Sequence, residues 1–281
     1  MDTICITRFA PSPTGGLHLG HGWSALLAHD MARSTNGRFL LRIEDIDRTR
    51  CRSEHVAGIL ADLRWLGLDW DGDVVIQSNR TSLYQAALET LIGMGLAYRC
   101  WCTRKEVAAA GGAPQGEFGP VYPGTCKNRS APVDGRSHCW RLDVAKALAL
   151  TGPLKWFDGG AAIAADPAPF GDLVIARKDA ETSYHLAVTL DDAAQGVTDI
   201  VRGRDLFAST HIHRLLQALL DLPVPRYHHH GLIVGADGER LAKRRNSPTL
   251  AAMREAGVDP AQLVADLRNR QFPIGFGLDA A

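Results

Sequence analysis

The stretch Arg8-Phe-Ala-Pro-Ser-Pro-Thr-Gly-Gly-Leu-His-Leu-Gly-His21 carries the strongest structural signal in the chain. It follows the β-branched segment Thr3–Thr7, which predicts a strand, and it leads into His18–Thr35, whose pattern predicts a helix. A helix start after a Gly-rich loop presents unpaired backbone N–H groups and the positive end of the helix dipole to an anion. His18 and His21 share one face of the first turn and can donate hydrogen bonds to phosphate oxygens. The segment predicts a phosphate-binding turn, with two helix-surface histidines as the plain alternative.

Strand and helix patterns alternate on both sides of a different central region. The strand patterns are Phe39–Ile43, DLVIAR at 172–177, SYHLAVTL at 183–190 and GVTDIVR at 196–202. The helix patterns are Ser53–Leu66 with Ser53 as a candidate N-cap, Thr81–Met94, Phe207–Leu220 and a helix that starts at Asp259-Pro260. Because helices separate the strands, the chain is predicted to fold as an α/β protein with a parallel sheet.

The central region, residues 98–170, is rich in Gly, Pro, Cys and Trp and has weak helical periodicity. It predicts an insertion that interrupts an α/β domain whose halves are 1–97 and 171–235. Residues 236–281 then form a loop and a short helical end. Three thiols in this insertion, Cys100, Cys102 and Cys126, suit a structural zinc site, which usually has four ligands. Cys139 and His138 are good zinc donors for the fourth position, and three buried thiols without a metal are the alternative.

Composition excludes several classes of protein. Lys+Arg and Asp+Glu are 31 each, so the formal net charge is zero, which excludes a globally basic, histone-like binder but leaves room for local basic patches. No run of about 18 apolar residues occurs, so no membrane partner is expected. The N-terminal residues lack the basic and apolar regions of a signal peptide, so we expect a cytoplasmic protein whose cysteines do not form disulfides.

A basic cluster, Gly238-Glu-Arg-Leu-Ala-Lys-Arg-Arg-Asn-Ser247, follows an Asp-Gly turn. Arg240, Lys243 and the two arginines after it can clamp a polyphosphate. A solvated basic loop or a simple nucleic-acid patch is the alternative interpretation of this cluster by itself.

The two phosphate-binding segments together resemble the signatures of class I aminoacyl-tRNA synthetases. HLGH at 18–21 resembles the HIGH signature, and RLAKR at 240–244 resembles KMSKS, although Ala242 stands where serine is usual. Further segments are similar to the glutamyl branch in particular: RFAPSPTGGLHLG, LLRIEDID at 40–47, LDWD at 68–71 and VTDIVRGRD at 197–205. Only residues 248–281 follow Ser247, whereas a glutamyl-tRNA synthetase carries a large anticodon-binding region there. The chain therefore resembles the truncated paralogue family, the glutamyl-queuosine tRNA(Asp) synthetases.

The resemblance implies a Rossmann-type parallel sheet with an inserted acceptor-binding-like α+β domain that contains zinc. It implies ATP-dependent activation of L-glutamate, with Mg²⁺, and transfer of the glutamyl group to queuosine in the anticodon arm of tRNA(Asp). It implies a tyrosine four residues before the last cysteine as the fourth zinc ligand, and Tyr122 matches that position. We expect a monomer.

The resemblance also implies site residues. The catalytic and ATP-binding set is His18, Gly20, His21 and Lys243. The glutamate-binding set is Arg8, Ser12, Glu44, Tyr184 and Arg202. The chemistry fits these roles, because arginine binds a carboxylate bidentately and Glu44 can pair with an ammonium group. Glu44 and Arg202 follow apolar strand patterns, where open α/β sheets bind ligands. An ordinary surface ion pair is the alternative for Arg202, and a solvated or arginine-paired turn is the alternative for Glu44.

The sequence leaves two points open, the role of a histidine run and the choice among related functions. The run Tyr227-His-His-His-Gly231 permits a metal site, but a strand that enters the active site is favoured. Three other functions remain possible: a truncated glutamyl-tRNA synthetase that acts at a tRNA 3′ end, another nucleotidyltransferase with the same signatures, or a non-catalytic RNA-binding relative.

Overall fold

The computed structural model of the chain describes residues 4–110, 115–116, 119–129, 135–235 and 249–279. Two compact units are present: one comprises Met1–Ser78, Gly196–Phe207 and Pro225–Ala281, and the other comprises Asn79–Gln195 and Ala208–Val224. The boundaries of these units differ from those of the segments that were predicted from the sequence, which are 1–97, 98–170, 171–235 and 236–281. The units reflect internal packing and not function. The division of the chain into functional segments therefore stays a prediction.

Strands and helices alternate in the described residues. The strands are β1 (Ile6–Phe9), β2 (Arg38–Ile43), β3 (Val75–Ile76), β4 (Ala97–Cys100), β5 (Gln115–Gly116), β6 (Gly119–Pro120), β7 (Cys139–Leu142), β8 (Lys155–Asp158), β9 (Ala161–Ala164), β10 (Val174–Ala176), β11 (Asp199–Gly203), β12 (Arg226–His230), β13 (Ile233–Gly235) and β14 (Phe276–Leu278). The helices are α1 (Leu19–Ser34), α2 (Ser53–Trp65), α3 (Thr81–Gly93), α4 (Arg104–Ala109), α5 (Val144–Thr151), α6 (Tyr184–Ala194), α7 (Ser209–Leu219), α8 (Leu250–Glu255) and α9 (Pro260–Arg268).

The first unit is built on parallel strands. β2 pairs in parallel with β1 on one side and with β3 on the other, and β11 pairs in parallel with β12. β11 also lies beside β1, because the Thr198 N–H donates to the Ile6 carbonyl oxygen at 2.9 Å. Side chains of α1, α2, β2 and α9 close the apolar core, including Leu26, Phe39, Leu63 and Leu267. The predicted parallel α/β architecture is confirmed.

The turn between α1 and β2 depends on glycine. Asn36 adopts the left-handed conformation, with φ of 52°, directly after the helix. A Cβ at Gly37 would overlap the Cys5 carbonyl oxygen, which accepts a hydrogen bond from the Arg38 N–H at 2.9 Å. The missing side chain therefore lets β2 approach the beginning of β1.

The second unit contains a three-stranded antiparallel sheet in the order β10-β7-β4 and an antiparallel hairpin of β8 and β9. Its helices α3 and α6 are joined by buried polar contacts. Asp191 accepts hydrogen bonds from the Tyr84 hydroxyl at 2.8 Å and from Arg80 Nε at 2.6 Å. No helix in the described residues is long and apolar enough to cross a bilayer.

Two sequence-based predictions about local structure are wrong. The segment SYHLAVTL at 183–190 is not a strand but the start of α6, with Ser183 as the N-cap. Residues Leu186 to Asp192 are all buried, so the apolar run reflects burial on several sides of a helix and not a strand. Ser53 is not an N-cap either, because it is the first helical residue of α2 and Arg52 takes the cap position. The Arg226–His230 segment, in contrast, is the expected strand.

A buried ion cluster ties the beginnings of β11 and β12 together. The Asp199 carboxylate, 3% exposed, accepts hydrogen bonds from Arg226 at 2.9 and 2.8 Å, from His228 Nε2 at 2.9 Å and from the Thr198 hydroxyl at 2.8 Å. Burial by itself would raise the pKa of Asp199, but the contacts with His228, Arg226 and Thr198 outweigh burial and hold its pKa below the ordinary value. The carboxylate is therefore ionised at neutral pH and stabilises the strand pair.

We predict that Asp199→Asn lowers the free energy of unfolding by roughly 2 kcal/mol at pH 7, since hydrogen bonds to charged groups are worth about 1.5–3 kcal/mol. The folded-state pKa lies below the unfolded one, so the wild-type advantage is present above the ordinary aspartate pKa and is lost as the pH falls below it. Urea unfolding at pH 7 and at about pH 3 measures both effects. Asp73→Asn, at an exposed carboxylate, is the matched control. Equal destabilisation by the two variants would contradict the prediction.

Candidate active site and metal centre

The two histidines of the first loop are held together by the start of α1. His18 is the N-cap in extended conformation, and its backbone N–H donates to His21 Nδ1 at 3.1 Å. The ring centroids are 3.7 Å apart. Because Nδ1 of His21 accepts this bond, neutral His21 carries its proton on Nε2. A Cβ at Gly20 would lie only 3.1 Å from His18 Cε1, so the glycine provides room for that ring.

Backbone hydrogen bonds hold the Pro-rich loop against β2 and α2. The Glu44 N–H donates to the Pro11 carbonyl oxygen at 3.0 Å, and the Arg52 N–H donates to the Pro13 carbonyl oxygen at 3.2 Å. Ser12, between these two anchors, is exposed and its carbonyl oxygen accepts from the Thr14 N–H at 2.8 Å. The loop thus has a defined path between β1 and α1.

Three candidate glutamate-binding residues lie at or near the carboxyl ends of neighbouring strands of the first unit. Arg8 in β1, Glu44 after β2 and Arg202 in β11 are 6%, 8% and 5% exposed. Glu44 Oε1 lies 3.1 Å from Arg42 Nη2, and Arg8 Nη1 donates to the Val201 carbonyl oxygen at 3.4 Å. Buried charges are costly without partners, so their concentration at one sheet edge is typical of a polar ligand site.

Arg202 has partners on its own side of the sheet. Its Nε donates to His229 Nε2 at 3.2 Å, and its Nη2 donates to the Leu206 carbonyl oxygen at 3.1 Å. Its guanidinium carbon lies 5.3 Å from the centroid of the Tyr227 ring. These contacts exclude the alternative of an ordinary surface ion pair, because the side chain is buried and held by β11, β12 and the turn after β11.

The remaining candidates are Tyr184 and Lys243. Tyr184 belongs to the second unit, where it is the first residue of α6 and its ring contacts those of His185 and His213 at 5.4 and 5.9 Å between centroids. Lys243 and the whole segment Arg240–Arg244 lie outside the described residues. Within the first unit, the structure therefore places Arg8, Glu44 and Arg202 at or near the carboxyl ends of neighbouring strands, and it pairs His18 with His21.

A cluster of three cysteines lies in the second unit. The sulfur atoms of Cys100, Cys102 and Cys126 all lie within 4.8 Å of one another. The Tyr122 hydroxyl lies 3.3 Å from Cys100 Sγ and 3.9 Å from Cys102 Sγ, and it accepts the Cys126 N–H at 2.7 Å. Three sulfurs and one phenol oxygen within contact distance form a donor set that can bind a metal ion.

The other possible donors take different positions. Cys139 pairs with Cys100 across the β4–β7 ladder, and its thiol points to the Cys100 carbonyl oxygen at 3.4 Å. His138 contacts Trp101 and Trp140, with ring centroids 6.0 and 5.5 Å away. Among the described residues, neither belongs to the group of clustered ligand atoms.

The thiols of the cluster differ in acidity. Hydrogen bonding with Cys139, aided by Tyr122 and Arg141, lowers the pKa of Cys100 to about 4 against the effect of burial. Burial raises the pKa of Cys102 to about 11. Burial and the contact with Cys100 raise the pKa of the Tyr122 phenol. A bound cation would favour the ionised form of all these groups, so metal binding by the cluster is coupled to proton release.

Comparison with known proteins identifies the family. Residues 5–276 match the family model described as tRNA synthetases class I (E and Q), catalytic domain. The chain belongs to this family. It is 51% identical over 275 residues to the glutamyl-Q tRNA(Asp) synthetase of Rhodobacter capsulatus, with 92% of this chain and 98% of that one covered. It is 45% identical over 265 residues to the protein of the same name from Nocardia farcinica, which covers 92% of this chain and 82% of that one.

Solved structures agree with this assignment. The crystal structure of a glutamate tRNA ligase from Elizabethkingia meningosepticum, in complex with its amino acid, matches with a TM-score of 0.76 and 25% identity over 94% of this chain. The chain spans 60% of the length of that ligase. The class I synthetase fold and the ligase class of enzyme, which the sequence resemblance implied, are confirmed.

Sequence reasoning missed two residues that contact the candidate site residues. Arg42 is fully buried and pairs with Glu44, and His229 accepts the hydrogen bond of Arg202. Arg42 lies within the apolar run of β2. A charged residue in such a run is expected to be buried with a partner, so this position was a usable signal. His229 was visible only as one member of a histidine run.

We predict that the purified protein holds about one metal ion per chain, as expected for a cluster with one structural site. The double variant Cys100→Ser/Cys102→Ser should lose it, because two of the three clustered sulfurs are replaced. Elemental analysis of the native proteins measures the occupancy. Cys139→Ser, which changes an adjacent thiol outside the cluster, should retain the metal. Full occupancy in the double variant would disprove the assignment of the cluster.

Proposed function

We propose that the chain activates L-glutamate with ATP and transfers the glutamyl group to the queuosine base in the anticodon of tRNA(Asp). The observation that carries the proposal is the 51% identity to a protein named glutamyl-Q tRNA(Asp) synthetase along 98% of that protein's length. A relative of this similarity and coverage shares the whole catalytic unit.

In the first step, the α-carboxylate of glutamate attacks the α-phosphorus of ATP in line and pyrophosphate leaves. Positioning and charge stabilisation dominate such chemistry. The pair His18 and His21 at the start of α1 suits hydrogen bonding to the phosphates, and Gly20 leaves space beside them. Lys243 is assigned to the opposite side of the phosphates by its place in the basic motif. Mg²⁺ bound with ATP would offset further phosphate charge.

Glutamate offers two carboxylates and one ammonium group at neutral pH. Arg8 and Arg202 are the cationic candidates for the carboxylates, and Glu44 is the anionic candidate for the ammonium group. The buried Arg42–Glu44 contact, 3.1 Å between Nη2 and Oε1, orients that carboxylate. Ser12 and Tyr184 are assigned hydrogen bonds to the same substrate through the sequence motif. The preference for glutamate over glutamine follows from this charge pattern.

In the second step, a ring hydroxyl of queuosine attacks the carbonyl carbon of the mixed anhydride, and AMP leaves. The acceptor is therefore a hydroxyl of an unpaired anticodon base, and proteins bind such bases by splaying and stacking them. No protein nucleophile is required, because the adenylate is already activated.

A tRNA substrate and free cysteines are both consistent with a cytoplasmic protein, and we propose that it acts as a monomer.

We assign zinc to the cysteine cluster, with Tyr122 as the fourth ligand, within an inserted domain at 98–170. The contacts of the Tyr122 hydroxyl with Cys100 and Cys102 support this ligand over Cys139 and His138. The Arg141 guanidinium carbon lies 3.8 Å from the centroid of the Tyr122 ring, a cation–π contact that helps to hold the ring in place. Zinc would supply a structural crosslink between β4 and the turn that follows Tyr122.

We predict glutamate-dependent ATP–pyrophosphate exchange without tRNA. Lys243→Ala should lower the exchange rate by roughly 30- to 1000-fold, since a charged contact to the transition state is worth about 2–4 kcal/mol. Lys105→Ala, which removes an exposed lysine of α4, is the control for a general loss of positive charge and should exchange normally. Normal exchange in Lys243→Ala would overturn the role of Lys243, and exchange with glutamine or aspartate as fast as with glutamate would overturn the arginine pocket.

We predict that labelled glutamate is transferred to tRNA(Asp) that contains queuosine and not to the same tRNA without it. An anticodon stem-loop that contains queuosine and lacks the acceptor stem should also accept glutamate. The second candidate function, aminoacylation at a tRNA 3′ end, is favoured by the likeness to glutamate tRNA ligases. The second function would be established instead if queuosine-free tRNA(Glu) were labelled and the queuosine-containing anticodon stem-loop did not accept glutamate.

A further inference from the structure

The three consecutive histidines of β12 have separate roles, because side chains alternate between the faces of a strand. His228 contacts the Asp199 carboxylate at 2.9 Å, and His230 Nε2 lies 3.1 Å from the Ser24 hydroxyl of α1. His229 lies on the opposite face and accepts the hydrogen bond of Arg202, its register partner in β11. The run is therefore not a metal site in this structure, and only its middle member reaches the candidate substrate arginine.

Aromatic rings hold His229 in place. Its ring is parallel to that of Tyr227, with an interplanar angle of 2° and centroids 5.9 Å apart, and Phe207 packs against it with centroids 5.2 Å apart. Tyr227 is fully buried. A ring held in this way has a fixed orientation, so the direction of its Nε2 lone pair is fixed as well.

The hydrogen bond sets the plane of the Arg202 guanidinium. Nε donates to His229 Nε2 at 3.2 Å and Nη2 donates to the Leu206 carbonyl oxygen at 3.1 Å. Two directed contacts from different donor atoms define the orientation of a planar group. A guanidinium binds a carboxylate bidentately only when the two planes align, so an arginine that is already oriented loses less freedom when its ligand binds.

We infer that His229 is a positioning residue that orients Arg202 toward a carboxylate of the amino-acid substrate. His229 acts through its neutral form, with the proton on Nδ1, because only then can Nε2 accept from the guanidinium. This inference rests on the proposed function, in which Arg202 binds glutamate. It adds a residue that acts on the arginine and not on the substrate itself.

If His229 acted only as a ring packed between Tyr227 and Phe207, the variant that keeps a ring would be the less damaging one. His229→Phe keeps a ring of similar shape and removes the acceptor. His229→Gln loses the ring and keeps an oxygen that can accept from Arg202 Nε at a similar reach. A comparison of the KM for glutamate in the two variants therefore distinguishes a positioning role from a packing role.

Steady-state ATP–pyrophosphate exchange tests the inference. His229→Phe should raise the KM for glutamate roughly tenfold or more, with a smaller change in kcat and in the KM for ATP, because substrate orientation is disturbed. His229→Gln should recover most of the loss. His228→Gln, on the other face of the same strand, is the control and should keep the wild-type KM. A KM for glutamate that is raised more by His229→Gln than by His229→Phe would overturn the inference in favour of packing.

A double-mutant cycle with Arg202→Lys gives a second measurement, which is valid even if one single variant has low stability. If His229 acts through Arg202, His229→Phe should raise the KM little further in the Arg202→Lys background. Independent effects of the two changes would contradict the inference. Absence of glutamate-dependent exchange in the wild-type protein would refute the proposed function itself, whereas normal wild-type exchange with unchanged kinetics in His229→Phe would refute only the role of His229.

Discussion

The burial of charged side chains at the carboxyl ends of parallel strands is the constraint on which the candidate site depends. Arg8, Glu44 and Arg202 are each less than a tenth exposed, and an ionised group at such a position is unfavourable unless it has partners. The fold supplies them from backbone carbonyl oxygens, from Arg42 and from His229. These partners hold the charges in place before a ligand arrives. In the proposed function, a zwitterionic ligand with extra negative charge completes this candidate site.

The cysteine cluster is likewise assembled from side chains of separate segments. β4 and β7 place Cys100 in a buried sheet, and the turn at Tyr122–Cys126 brings the other donors to it. The hydrogen bond between the Cys126 N–H and the Tyr122 hydroxyl fixes the turn through backbone and side chain together. The cluster joins segments that lie about 25 residues apart in the sequence, so a metal bound there would link them.

Sequence reasoning recovered the elements whose signals are local. The loop and α1 were predicted because the helix start and its histidines are encoded within a short stretch of sequence, whereas the strand predicted at Thr3–Thr7 overlaps β1 only at Ile6 and Thr7. The cysteine cluster was predicted because thiols have few other uses at such spacing. α6 was mistaken for a strand because a buried apolar run has the same composition in both structures. Arg42 and His229 were missed because their importance comes from partners that lie on other strands or are buried beside them.

The histidine run shows why such residues escape a reading of the sequence alone. Three identical side chains in a row suggest a common role, and a metal is the role that three imidazoles share. A strand gives neighbouring residues opposite directions, so His228 meets a carboxylate, His229 meets a guanidinium and His230 meets a serine. The partner decides the hydrogen-bonding role of each ring: His228 donates to Asp199 and His229 accepts from Arg202. Chemical identity along the chain therefore does not imply a shared function, and the register of β11 against β12 determines which of the three acts on the candidate substrate arginine.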